Sequence, residues 1–113
     1  MKMFKIFKDQ IPPLNLAHVA TLKTDIQTLA RDLNAELISD VDDLDHFSSL
    51  NLCLEDEFFF CLYKYQNRPS GTVELYFESQ RPDWENRFRQ ISAALQLGDE
   101  QILWLNKNYL KTP

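Results

Sequence analysis

Three observations predict an α+β fold: apolar residues that step by three and four from residue 16 to 33 and again after residue 81, a dense run of β-formers from residue 50 to 79, and turn residues that divide that run. Together they imply a single domain over residues 1–113. Its expected architecture is a small antiparallel sheet of three or four strands, packed against an N-terminal helix and one or two C-terminal helices. A chain of 113 residues can bury roughly two-thirds of its unfolded surface, so it needs no metal or disulfide to fold. Its 44% apolar and 12% aromatic content is too rich for a disordered segment.

The elements follow in chain order. Residues 2–8, "KMFKIFK", read as a short strand or a frayed terminus, and Pro12–Pro13 stop regular structure. From Asn15, a plausible helix cap, the pattern turns helical: Leu16, Val19, Leu22, Ile26, Leu29 and Leu33 trace one stripe, with Lys23, Asp25, Gln27, Arg31 and Asp32 mostly off it. "AELISDV" is a strand fading into an acidic loop. "LNLCLE" sets Leu50, Leu52 and Leu54 against Asn51, Cys53 and Glu55, the period of a half-buried strand.

"EFFFCLYKY" and "GTVELYFES" form a hairpin across "QNRPSG", where Pro69 and Gly71 supply turn chemistry. In its first strand Phe58, Phe60 and Leu62 share one side, while Phe59, Cys61, Tyr63 and Tyr65 share the other. In its second strand Val73, Leu75 and Phe77 oppose Thr72, Glu74, Tyr76 and Glu78. "RPDWENRFRQISAALQLG" is a helix with Pro82 in its first turn, Asp83 and Glu85 at its positive end, Trp84, Phe88, Ile91 and Leu95 as its buried stripe, and Gly98 at the left-handed position after it. In "DEQILWLNKNYLKTP" Ile102, Leu105 and Tyr109 fit a helix capped by Asp99. "QILWL" fits a strand, and helix is the preferred reading.

Charge is unevenly placed. Residues 32–63 contain no Lys or Arg and nine of the seventeen acids, a net −9; the rest of the chain, with twelve bases and eight acids, is +4, giving −5 in all. A net negative charge argues against nucleic acid or an anionic membrane as partner. The start lacks the apolar core and cleavage site of a secretory signal, no run reaches membrane-spanning length, and Cys53 and Cys61 read as reduced, buried thiols. A cytoplasmic location is expected.

Catalytic chemistry finds little support. Asp40, Asp42, Asp43, Asp45 and His46 place oxygen ligands at the alternate positions of a calcium loop, but the turn glycine and the closing Glu are missing, so a solvated acidic loop or a functional acidic surface is the better reading and no metal is assigned. His18, one position before Val19, reads as a helix-edge or core residue rather than a base. His46 lies near Ser48 and Ser49 without a nucleophile turn or oxyanion segment, and no catalytic residue is assigned. With Gly71 and Gly98 as the only glycines, neither a P-loop nor a dinucleotide fingerprint can be written, and no cofactor is expected. Arg81, Arg87 and Arg89 read as a solvated helix face or as partners for the central acids.

Crowding like charges destabilises a fold, and a cationic partner relieves that cost. The acids adjoin the most aromatic strand, so a protein-binding surface is expected. Asp40, Asp42, Asp43, Asp45, Glu55, Asp56 and Glu57 would steer and pair with a basic partner, while Tyr63, Tyr65 and Tyr76 would anchor it. In size, acidity and α+β make-up the chain resembles the small bacterial immunity proteins of contact-dependent inhibition and colicin systems, although no motif carries the likeness. That resemblance implies a cytoplasmic, monomeric antitoxin that inhibits a toxin domain, such as a nuclease with a cationic cleft. Two alternatives remain: an acidic homodimer similar to secretion chaperones, binding an effector segment, and a metal-dependent hydrolase built on Asp42, Asp45 and His46.

Overall fold

The computed structural model of the chain describes residues 3–5, 16–41, 45–56, 58–78 and 83–106. Strands β1 (Met3–Lys5), β2 (Ala17–Lys23), β3 (Ile38–Val41), β4 (His46–Leu54), β5 (Phe59–Tyr65), β6 (Thr72–Phe77) and β7 (Ile102–Leu105) form one antiparallel sheet. Its order is β1-β4-β5-β6-β2-β7, with β3 also on β4. Helix α1 (Ile26–Asp32) follows β2, and α2 (Trp84–Ala94) follows β6. The fold is therefore α+β with a single antiparallel sheet, as expected, but with seven strands among the described residues rather than three or four.

The helix expected over residues 16–33 is two elements. Ala17–Lys23 is a strand, held between β6 and β7. A register irregularity between His18 and Ala20 leaves both Val19 and Ala20 buried, and Leu22 follows two positions later. A one-residue bulge plus one alternation gives the step of three from Val19 to Leu22 that imitates a helical period. The true helix starts at Ile26, ten residues after the expected start. Asp25 caps it, its Oδ2 accepting hydrogen bonds from the Thr28 backbone N (3.1 Å) and Oγ1 (2.7 Å), and these bonds hold the Asp25 carboxyl below its ordinary value. Asn15, the expected cap, lies outside the described residues, as do Pro12 and Pro13.

The central strands agree better. β5 and β6 match the expected hairpin, and Gly71 takes the left-handed φ of +78° that its turn requires. "KMFKIFK" contributes β1. β4 is longer than expected and begins at His46, and β3, within the strand expected in "AELISDV", pairs with it and carries Asp40.

Helix α2 buries the expected stripe of Trp84, Phe88, Ile91 and Leu95. It begins at Trp84; Pro82, like Arg81, lies outside the described residues. Gly98 does not take the left-handed position after it. Gln96 does, at φ 59°, with Leu97 N donating to Ser92 O (2.9 Å), while Gly98 at φ −88° precedes a single 3₁₀ turn. The preferred C-terminal helix is also overturned: Ile102–Leu105 pairs with β2, because a fully formed neighbouring strand supplies the ladder that residues of mixed propensity follow. Tyr109 lies outside the described residues.

Both helices pack on the same side. Ile26 and Ala30 of α1, Trp84, Phe88 and Ile91 of α2, and Leu95 just after it join Leu22, Leu50, Leu52, Leu54, Phe58, Phe60, Leu62, Val73, Leu75 and Phe77 in one buried cluster. The sheet thus has a helix-covered core face and an outer face. Among the described residues no helix is long and apolar enough to cross a membrane.

Candidate functional site: the outer face of the sheet

Strand pairing builds the outer face row by row, because directly opposed residues share a side. Asp40 lies opposite Phe47, and Phe47 opposite Tyr65. Ser49 pairs with Tyr63, Tyr63 with Glu74, Glu74 with Thr21, and Thr21 with Trp104. Asn51, Cys61, Tyr76 and His18 form the next row. Alternation in five strands therefore brings together aromatic residues from position 18 to position 104.

Their rings are in contact. Tyr65 lies 5.6 Å from Phe47, Phe47 5.2 Å from Tyr63, Tyr63 5.1 Å from Tyr76, Tyr76 5.2 Å from His18, and His18 4.7 Å from Trp104, measured between ring centroids. All fall within the range of favourable offset and edge-on pairs. The five rings from Tyr65 to His18 are half-buried, and Trp104 is 46% exposed. The three tyrosines singled out in the sequence thus stand in one row, joined by Phe47, His18 and Trp104, which sequence reasoning had not assigned. His18 and Trp104 escaped because each was read as helical.

Glu74 sits in the middle of this row and is 8% exposed. The Tyr76 hydroxyl donates to its Oε2 at 3.2 Å, and the Nε of Arg68, itself 63% exposed, lies 3.4 Å from its Oε1. Burial, with the Glu74 charge second, pushes the Tyr76 hydroxyl up in pKa; burial also raises Tyr63. Both remain protonated donors at neutral pH. Burial lowers the pKa of His18 despite the opposing charge of Glu74. Its Nε2 donates to the Ala20 carbonyl at 3.1 Å.

The carboxylates do not form one patch. Asp40 and Asp45 lie near the aromatic row, where Asp40 Oδ1 accepts from Val41 N at 2.8 Å and Asp45 Oδ2 from Asn67 N at 2.7 Å. Glu55 and Asp56 occupy the other end of β4, roughly 30 Å away along a strand rising about 3.3 Å per residue. There Asp56 accepts a 2.5 Å bond from Arg87 Nη1, which holds its carboxyl below the ordinary range. Arg87 also lies over the Phe58 ring, 4.5 Å from its centroid, so one of the helix arginines does pair with a central acid. Asp42, Asp43 and Glu57 lie outside the described residues.

A 410 Å³ hollow at the β3–β4 end is lined by Ser39, Asp40, Val41, His46, Ser48 and Lys64 among others. Ser48 shares the side of His46, whereas Ser49 faces the aromatic row. Among the described residues no three His, Cys, Asp or Glu side chains are grouped to hold a metal ion. Comparison of the chain with protein-family models, with curated proteins and with solved structures gives no match.

Proposed function

We propose that this chain is a protein-binding inhibitor, an immunity protein that neutralises a cognate toxin through the outer face of its sheet. The observation that carries the reading is the half-buried aromatic row from Tyr65 to Trp104 on the side opposite the two helices. Tyr and Trp dominate the energetic centres of protein interfaces, since each covers a large area at little cost in conformational entropy. Tyr63, Tyr65 and Tyr76 act as anchors in this reading. Asp40 and Asp45 steer a basic partner from the adjoining end. Glu55 and Asp56 adjoin the opposite end of the row, past Asn51, where Asp56 is engaged by Arg87.

The test is co-expression with the product of the adjacent gene, followed by purification and sedimentation. A one-to-one complex that is lost with Tyr63→Ala and Tyr76→Ala supports the reading; an adjacent product that inhibits growth and is neither bound nor neutralised overturns it. A second reading, the chaperone-like homodimer, draws on β7, the terminal strand of the sheet, where Leu103 and Trp104 are 52% and 46% exposed. An apolar edge strand invites pairing with another strand. Sedimentation of the chain alone separates the two: a monomer fits the inhibitor, an obligate dimer the chaperone.

A further inference from the structure

We propose that the outer face contains a socket for an arginine side chain of the partner, with Glu74 as its counter-charge, the tyrosine rings as its walls, and Arg68 as an internal occupant that the partner displaces. The inference deepens the inhibitor reading and rests on it, but its residues are different from the acids that the sequence singled out.

A hollow of 190 Å³ opens on the outer face, lined by Thr21, Tyr63, Tyr65, Arg68, Glu74 and Leu103 among others. It is smaller than the roughly 300–1,000 Å³ of small-molecule sites, a size suited to a single side chain. A carboxylate 8% exposed amid aromatic rings is costly unless well paired. The pairing it has is loose. Strong guanidinium–carboxylate pairs are two-pronged at about 2.7–2.9 Å, whereas Arg68 offers its Nε at 3.4 Å from a side chain that is mostly in solvent. The Tyr76 hydroxyl takes one further position on the carboxylate, which has about four acceptor sites in all.

The chemistry of the walls selects the cation. Aromatic faces attract positive charge, and a flat guanidinium stacks on them while presenting forked donors, which a compact, strongly hydrated ammonium does less well. Glu74 is the acidic side chain among the residues that line the hollow, so it supplies the negative charge there. Lys64 also borders it, but its Nζ donates to the carbonyls of Tyr65 (3.0 Å) and Arg68 (2.7 Å), tying down the loop that carries Arg68.

Nuclear magnetic resonance titration of the intact chain with the blocked peptide acetyl-Gly-Arg-Gly-amide tests the socket, with the Lys and Glu analogues alongside. The Arg peptide is expected to move the backbone amides of Thr21, Tyr63, Glu74 and Tyr76. Glu74→Gln, which keeps the shape and the Tyr76 bond, is expected to weaken binding at least about tenfold, as for loss of a hydrogen-bonded charge. Arg68→Ala is expected to tighten it, because the competing occupant is gone. Unmoved amides, preference for the Glu peptide, or an Arg68→Ala variant that binds more weakly overturn the socket. The partner separates the two proposals: an adjacent-gene product whose binding falls with Tyr63→Ala but not with Glu74→Gln leaves the inhibitor reading standing without the socket, and a peptide that binds while the adjacent product does not leaves the socket without the inhibitor.

Discussion

Strand β5 carries hydrophobic side chains on both of its faces, and the two sets have different fates. Phe60 and Leu62 are fully buried under α1 and α2 with Leu52, Leu50 and Leu75 as their sheet neighbours. On the other side Phe59 and Cys61 are buried too, but Tyr63 and Tyr65 are only half-covered and end in hydroxyls. The core face consists of aliphatic and phenyl groups that fill volume. The outer face consists of rings with a polar edge around a carboxylate. A single alternation thus separates the side that packs on the helices from the side that the proposed binding uses.

The largest effect should come from the core face. Phe60→Ala removes a fully buried ring and is expected to cost about 3–5 kcal/mol, most of the stability of a marginal small domain. Urea denaturation measures it, and a loss below about 1 kcal/mol would mean that the core face does not carry the fold. On the outer face Tyr63→Ala should do the reverse. Partner affinity is expected to fall by about 2 kcal/mol or more, as at an interface anchor, with a much smaller shift in the urea midpoint. Equal losses in binding and stability would erase the distinction between the faces.

Alkaline pH sharpens the comparison further. Burial pushes the Cys61 thiol from an ordinary 9.0 up to about 12, and raises Tyr63 and Tyr76. Each group then binds its proton more tightly folded than unfolded. Their contribution is fully present below the unfolded pKa and is lost as pH rises through the folded one. The urea midpoint should therefore fall from about pH 9 upward, and Cys61→Ala should flatten part of that slope. Labelling at pH 8 should modify the half-buried Cys53 before Cys61. The smallest effect is expected outside both faces. Asp56→Asn at the far end of β4 removes a bond to Arg87 from a carboxylate 47% exposed, and solvent screening keeps the loss below about 1 kcal/mol. Because the Asp56 carboxyl is held low, that increment should be present at neutral pH and vanish as pH falls through the folded value.

Much of this division was legible in the sequence. The alternation of Phe60 and Leu62 against Tyr63 and Tyr65, and of Leu75 against Glu74 and Tyr76, is local, and pairing of β5 with β6 preserved it. The α2 stripe was legible for the same reason. What failed was non-local. Val19 and Leu22 wear a helical spacing because of the bulge near His18, which arises only where β2 meets β6. Ile102–Leu105 becomes a strand because β2 is there to receive it. His18 and Trp104 were therefore missed as members of the row, although both are aromatic residues of the kind being sought. The clustering of acids along the chain also misled, because β4 is long enough to carry Asp45 and Glu55 to opposite ends.

The aromatic row draws on β4, β5, β6, β2 and β7, and its last contact, His18 with Trp104, joins segments near the two extremes of the described chain. Hairpins β4–β5 and β5–β6 form from neighbours in sequence, but β2 and β7 must close long loops before they dock, which is the slow part of a β-rich topology. On the proposed reading, the binding surface is complete only when β2 and β7 have docked beside the central hairpins.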